Sequence, residues 1–172
     1  KKGIGVLDFD SGRTRQLPLT DVDFKVVSFN DGACDRAGRF WVGTRHAYAN
    51  EPVGALYCFD GDLKPRRVVG GLTVSNGLAW SPDSRIMYVT DSRGSVYALN
   101  AVDGHLLWTF DVTPLIGGRG CRAGLDCYIF RNRGVTYADG VVYTAAGSFL
   151  FALDAKTGAP VKSFGNNGQA ST

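Results

Sequence analysis

The residues best suited to chemistry are two asparagines, each of which precedes a glycine-containing turn and an apolar run. Asn76 stands directly before Gly77 in the stretch GLTVSNGLAWSPDS, and Asn30 opens an Asn-Asp-Gly sequence. Such an asparagine can cap a turn, because it tolerates a left-handed backbone and bonds neighbouring amides. Alternatively, its amide oxygen can act as a ligand. The residues alone leave both interpretations open.

Side chains for other kinds of catalysis are few. The four cysteines form no C-x-x-C pair, and with two histidines in the chain they do not indicate a zinc site. Cys121 and Cys127 flank a short loop and could form a disulfide in an oxidising compartment or remain free thiols. The sequence contains no GxSxG, no phosphate-binding P-loop and no GxGxxG after a predicted strand.

The elements that must position the asparagines are short strands in a repeated unit. Residues 32–45 read as strand, turn and strand, and residues 54–69 add two further strands. The same pair of patterns returns at 76–110 and at 133–165. Each unit therefore holds four short strands joined by Asp, Gly and Pro turns. Internal similarity at this period predicts an all-β fold built from propeller blades and disfavours a sandwich.

The number of units predicts an open ring. Residues 3–19 match only the second half of a unit, so we expect about three and a half four-stranded antiparallel blades. A propeller needs roughly four to eight blades to close and hide its strand edges. We therefore expect a second copy or a larger propeller partner to complete the ring, and two copies would give about seven blades. The chain begins at Lys1 without a Met, which fits a processed product, a fragment or an engineered piece.

Composition and charge argue against two classes of binding partner, nucleic acids and membranes. The formal net charge of +3 is small and the chain has no basic run, which argues against a nucleic-acid partner. No stretch approaches the roughly 20 apolar residues of a membrane span, and no signal-peptide pattern is visible. We expect a soluble protein without a membrane partner, in a cytoplasmic or periplasmic compartment that the sequence leaves open, and with small molecules as a ligand class.

Three stretches of the amino-terminal part carry a family resemblance: FNDGACDRAGRFWVGT from Phe29, GALYCFD from Gly54 and GLTVSNGLAWSPDSRIMYVTDS from Gly71. Through them, residues 1–92 resemble the senescence-marker-protein/gluconolactonase family, which includes the regucalcin-like proteins. The resemblance implies a six-bladed propeller that holds a divalent cation (calcium, magnesium or manganese) at one end of its channel. It also implies hydrolysis of sugar-type lactones.

The remaining part, residues 93–172, resembles a different family, the pyrroloquinoline-quinone (PQQ)-dependent dehydrogenases. The stretches GSVYALNAVDGHLLWTFDVTPL and FRNRGVTYADGVVYTAAGSFLFALDAKTGAPVKSFGNNGQAS carry this similarity. These enzymes are eight-bladed propellers with a repeated docking motif, which Gly104 and Trp108 match, whereas Lys162 replaces the tryptophan in the last unit. The chain therefore reads as one continuous propeller-like unit joined near residues 91–94, either a natural fusion or an engineered chimera.

The two resemblances imply roles for four residues. Asn76 matches the metal-binding asparagine of the lactonase-like family, and Asn30 matches an asparagine that contacts metal-bound water or substrate. Asp91 ends the strand that follows Asn76 and is either a channel-facing catalytic carboxylate or a turn cap. Arg133 matches a cofactor-proximal segment of the dehydrogenases and could pair with a PQQ carboxylate. The lactonase family's acidic ligands have no counterpart in these stretches, and Ser28 stands where an arginine is common.

Three functional hypotheses follow. The first is a lactonase-like, metal-dependent hydrolase, or a remnant of one, with little activity expected from the chain alone because charged ligands supply most cation affinity. The second is a fragment of a PQQ-dependent dehydrogenase that uses Arg133. The third is a non-catalytic propeller module that assembles with itself or with a partner.

Overall fold

The computed structural model describes residues 3–19, 22–48, 51–91, 94–112, 114–115 and 134–171, and these residues form strands and turns without a helix. The strands are β1 (Gly5–Leu7), β2 (Thr14–Gln16), β3 (Val27–Cys34), β4 (Phe40–His46), β5 (Gly54–Phe59), β6 (Pro65–Leu72), β7 (Ser75–Trp80), β8 (Ile86–Asp91), β9 (Ser95–Asn100), β10 (Leu106–Asp111), β11 (Val135–Ala138), β12 (Val141–Ala146), β13 (Phe149–Asp154) and β14 (Gln169–Ser171). None of the described residues belongs to a helix with the length and apolarity that a membrane crossing requires.

The strands form three four-stranded antiparallel sheets and one two-stranded sheet, each in the order of the sequence. We call β1–β2 the half sheet, and β3–β6, β7–β10 and β11–β14 the first, second and third full sheets. Consecutive strands pair in every sheet, so each sheet is a simple meander, and the one long connection within a sheet runs from β13 to β14. The predicted three and a half units are confirmed.

The first strands of the full sheets lie at the centre of the molecule. Strand β3 contacts β7, and β7 contacts β11, so the sheets radiate from a common line of inner strands. This arrangement is that of propeller blades around an axis, and the predicted all-β propeller-like fold is confirmed.

Apolar layers between neighbouring sheets hold the blades together. Trp41, Leu56 and Met87 belong to the layer between the first and second full sheets. Similar layers join the half sheet to the first full sheet and the second full sheet to the third. The first and second full sheets are thus covered on both faces, which explains why all six residues of β5 are buried.

Strand β8 shows how one strand serves two layers. Adjacent side chains point to opposite faces of a strand. Met87 therefore enters the layer toward the first full sheet, whereas Tyr88 enters the layer toward the third. Both side chains are fully buried, so β8 is apolar from Ile86 to Val89 without alternating with polar residues.

The inner strands approach so closely that glycine is required at one position. Gly77 has a φ of +52°, and a Cβ placed there would overlap the Cα of Gly134 at the start of the third full sheet. A left-handed backbone and a close approach both favour glycine. The Asn-Gly sequence at the start of β7 therefore has a packing reason.

The join predicted between residues 92 and 93 falls inside the second full sheet. Strand β8 ends at Asp91 and β9 begins at Ser95, and these two strands pair from Ile86 opposite Asn100 to Thr90 opposite Val96. The join therefore falls within one hydrogen-bonded blade, and its exact position stays a prediction.

Candidate functional site

Asn76 begins the inner strand β7 at a bulge. The register between β7 and β8 shifts between Asn76 and Leu78, and the hydroxyl of Thr90 donates to the Asn76 carbonyl oxygen at 2.7 Å. A bulge re-aims the side chain next to it. The sequence sets this up locally, because Gly77 supplies the positive φ that the bulge uses.

Asn30 lies at a matching bulge in the inner strand β3, where the register with β4 shifts between Phe29 and Gly32. Its amide nitrogen donates to Oδ1 of Asn76 at 2.6 Å and to the carbonyl oxygen of Ser75 at 2.9 Å. The structure therefore brings the two predicted asparagines together across neighbouring blades.

Asp31 is a component of this site that the sequence analysis missed. One carboxylate oxygen accepts the N–H of Gly32 at 2.9 Å, and the other accepts the N–H of Gly77 at 2.8 Å. Asp31 thus ties the bulge in β3 to the bulge in β7. The Asn-Asp-Gly sequence signals an aspartate at a turn, but its partner 46 positions away is not visible in the sequence.

Asp91 is buried and holds the chain that enters β7. Its carboxylate accepts the N–H of Thr73 at 2.7 Å and the N–H of Val74 at 3.1 Å. These bonds fix the backbone just before Asn76, so the structure gives Asp91 a positioning contact. Its catalytic assignment stays a prediction.

Other predicted residues do not join this cluster. Arg133, Cys121 and Cys127 lie outside the described residues. Cys34 is exposed and Cys58 is buried, and neither forms a disulfide. Burial, together with the nearby carboxylate of Asp60, raises the pKa of the Cys58 thiol, which keeps it in the neutral form of a core residue.

The described residues do not complete a metal site. Within the described ranges, no three His, Cys, Asp or Glu residues lie together. Asn30 and Asn76 are neutral, and all four oxygens of the nearby Asp31 and Asp91 carboxylates accept backbone amides. Calcium, magnesium and manganese sites take most of their affinity from charged oxygens. The pair of amides alone therefore does not make such a site.

A separate cavity of about 290 Å³ lies on the face of the first full sheet that is turned toward the half sheet. Its lining includes Val27, Thr44, Tyr57 and Arg67. Val27 belongs to the apolar layer toward the half sheet, whereas Asn30 points toward β7. The cavity is therefore not part of the asparagine site.

Sheets fanned around three inner strands, with a polar cluster on two of those strands, define a protein of the β-propeller class. Residues 1–113 match the family described as SMP-30/Gluconolactonase/LRE-like region, and residues 82–172 match the glucose/ethanol/alcohol dehydrogenase β-propeller domain. The chain belongs to the SMP-30/gluconolactonase/LRE-like family, and its carboxyl-terminal half belongs also to that dehydrogenase propeller family. Both predicted resemblances are confirmed, and the two matches overlap in the second full sheet.

Individual relatives agree with the first family. A 6-deoxy-6-sulfogluconolactonase of Pseudomonas putida is 33% identical over 96 residues, which cover 56% of this chain and 33% of that protein. Human regucalcin is 37% identical over 92 residues, or 51% of this chain and 30% of that protein. The chain thus spans about a third of the length of these curated relatives.

The solved structures support the fold. A calcium-binding protein, regucalcin, from Agrobacterium tumefaciens superposes with a TM-score of 0.64 at 20% identity, covering 91% of this chain and 52% of that one. Identity at this level bears on the architecture alone. The predicted propeller architecture is therefore seen in a protein about twice as long.

Proposed function

We propose that this chain carries one side of the active site of a metal-dependent hydrolase acting on sugar-type lactones. The observation that carries the proposal is the 2.6 Å contact between Asn30 and Asn76 across two inner strands. Membership in the gluconolactonase-like family and the named activity of the Pseudomonas putida relative support the lactone as substrate class.

Each residue of the cluster has a distinct part in this proposal. Asn76 offers its amide oxygen to a hard cation, and the Asn30 N–H orients that oxygen. Asp31 ties β3 to β7, and Asp91 fixes the chain that enters β7, both through backbone amides, so they act as positioning residues. The charged ligands that a cation requires are supplied by groups other than these four.

Thermal unfolding with and without calcium or manganese tests this half-site. A cation that binds only the folded state with a dissociation constant of about 1 mM stabilises it by about 1.4 kcal/mol at about 10 mM. For a domain of this size we expect a rise in Tm of about 3–6 °C. The Asn76→Ala variant should lose most of this rise, whereas Asn166→Ala, in an exposed turn of the third full sheet, should keep it. An equal cation response in both variants would contradict the proposal.

A second candidate is binding of PQQ, which the dehydrogenase match over residues 82–172 favours. Arg133 is the residue that would pair with a quinone carboxylate. Titration with PQQ, followed by its absorption band, tests this. Saturable binding that Arg133→Ala weakens about tenfold supports it, and the absence of a saturable change excludes it.

A further inference from the structure

Among the described residues, one five-residue turn that begins with Asp or Asn and ends with Gly occurs three times, and we call it the latch turn. It spans residues 8–12, 100–104 and 154–158, and in each copy the N–H of the last residue donates to the carbonyl of the first at 2.8 Å. The first residue is Asp8, Asn100 or Asp154, and its side-chain oxygen accepts backbone amides within the turn. The last residue is a glycine with positive φ in every copy. The β5–β6 hairpin turns differently, with Leu63 N–H bonded to the Asp60 carbonyl.

In the third full sheet the latch turn binds the preceding sheet. The carbonyl of Ala155 accepts the hydroxyl of Tyr88 at 3.0 Å and the indole N–H of Trp108 at 3.2 Å. Gly158 lies against the Trp108 ring, where a Cβ would overlap it. Burial raises the pKa of Tyr88 to about 12, so its hydroxyl remains a donor at neutral pH.

The latch turn of the second full sheet makes an equivalent junction with the first full sheet, through different donors. Nη1 of Arg39 donates to the carbonyl of Ala101 at 2.8 Å, and Arg66 donates to the next carbonyl, that of Val102, at 3.2 Å. Gly104 lies against Val68, as Gly158 lies against the indole. A backbone carbonyl just after the capping residue is thus the acceptor at both junctions.

The latch turn of the half sheet lacks such a contact among the described residues. Phe9 stands where Ala101 and Ala155 stand, and it is 92% exposed, whereas those alanines are 0% and 3% exposed. No described atom lies within 4 Å of a Cβ built on Gly12, and Leu7 is 47% exposed. The half sheet therefore presents the acceptor side of a blade junction on its outer face.

The third full sheet presents the donor side. Tyr143 pairs with Ala152 as Tyr88 pairs with Ala98, and each alanine lies two residues before the first residue of a latch turn. Tyr143 is therefore the register equivalent of Tyr88. Its ring packs edge-on against Phe164 at 5.8 Å between centroids, whereas Tyr88 packs in a tilted arrangement with Trp108 at 5.9 Å.

The outer faces of the half sheet and of the third full sheet also complement each other in side-chain volume. At the junction between the second and third full sheets, the large Trp108 ring lies on the donor side and the small Ala155 lies opposite it. On the third full sheet, Lys162 occupies the sequence position equivalent to Trp108 and is exposed. On the half sheet, the turn itself supplies a large ring, that of Phe9.

We propose that the half sheet of one protein molecule docks on the third full sheet of a second molecule. In this contact Phe9 packs against Tyr143, and the backbone carbonyl of Phe9 accepts a hydrogen bond from the Tyr143 hydroxyl. The contact is head-to-tail, so it can close with two copies or continue as an open chain. It stacks one sheet on another instead of completing the half sheet. A closed pair would accordingly contain eight sheets, four from each copy, instead of the seven blades expected from the sequence.

Sedimentation velocity over about 1–100 µM measures this association. We expect the wild-type chain to self-associate, and Phe9→Ser to raise the dissociation constant about tenfold or more. Leu106→Ser, which replaces another exposed apolar residue, on β10, should leave it unchanged. A wild-type chain that stays monomeric throughout, or an equal loss in both variants, would overturn the proposal.

A mixing experiment separates this contact from a symmetric one. Phe9→Ser and Tyr143→Ala should each associate weakly alone, while their equimolar mixture should form pairs, because it retains one intact junction. Both variants must first show wild-type circular dichroism, and Tyr143→Phe, which keeps the ring, replaces Tyr143→Ala if that variant unfolds. A mixture that associates no better than its components would contradict a head-to-tail contact.

Discussion

At the scale of single residues, carboxylates that accept backbone amides organise the region around the candidate site. Asp31 joins β3 to β7, and Asp91 fixes the entry to β7. Neither contact uses a charged partner. Hydrogen bonds from backbone amides hold both carboxylates in place, so these aspartates shape the position of Asn76 while remaining part of the framework.

Asp35 offers the sharpest test at this scale. Its fully buried carboxylate accepts the indole N–H of Trp41 at 2.9 Å and Nε of Arg39 at 2.6 Å. Burial raises the pKa of Asp35, but the hydrogen bonds from Trp41 and Arg39 outweigh it, and the pKa is lowered overall. A lowered pKa adds stability that is present above the unfolded value of about 3.9 and is lost as pH falls through the folded value.

We expect Asp35→Asn to cost about 2–3 kcal/mol at pH 7, because charge-assisted bonds are lost and an amide N–H faces two donors. The deficit should shrink as the pH falls below the unfolded pKa of about 3.9 and through the lower folded pKa, where the wild-type carboxyl becomes protonated too. Urea unfolding at several pH values measures this. Asp62→Asn, which breaks an exposed ion pair with Lys64, should change stability by less than about 0.5 kcal/mol. Equal effects in both variants would contradict the argument.

At the scale of elements, the spacing of the inner strands depends on glycine. Gly77→Ala should destabilise the protein by about 2–4 kcal/mol, since the new methyl meets the Gly134 backbone and the φ is positive. Gly140→Ala is the matched control, with a φ of +80° and open space around the added carbon. It should cost about 1 kcal/mol. Chemical denaturation of the two variants measures the difference, and equal costs would show that the close approach is unimportant.

The junction between the second and third full sheets can be tested with a pair of tryptophans. Trp108→Phe removes the N–H that bonds the Ala155 carbonyl, whereas the buried Nε1 of Trp80 has no partner among the described residues. Both changes remove similar volume. We expect Trp108→Phe to cost about 1 kcal/mol more than Trp80→Phe in denaturant unfolding. A larger loss of unfolding free energy for Trp80→Phe would contradict the view that the latch turn stabilises this junction.

The sequence predicts the sheets well because their turns are local. Asp35 to Gly38 and Asn100 to Gly104 each close within five residues, so their hydrogen bonds follow from nearby side chains. The meeting of Asn30 and Asn76 follows from the family resemblance. The bond from Gly77 to Asp31 could not be predicted, because it depends on how two bulges align after the sheets have packed.

At the scale of the whole molecule, the sheets differ in how much of each is covered. The second full sheet has a neighbour on both faces, whereas the half sheet packs on one face. We expect amides of β1 and β2 to exchange with solvent faster than those of β8 and β9. Hydrogen exchange at about 1 µM measures this difference, and repeating it at about 100 µM should protect β1 and β2 if copies associate. Protection that is equal in all sheets at low concentration would contradict this ranking.

The latch turn has a consequence for how such proteins diversify. Its acceptor is a peptide oxygen, which every residue type possesses, and here it is satisfied by guanidinium at one boundary and by phenol and indole at the next. The adjacent sheet therefore needs only a side-chain hydrogen-bond donor of any type within reach of that carbonyl. Blades that differ in sequence can therefore be combined without co-evolved side-chain pairs, and the two family matches of this chain meet in the second full sheet, which takes part in both boundaries.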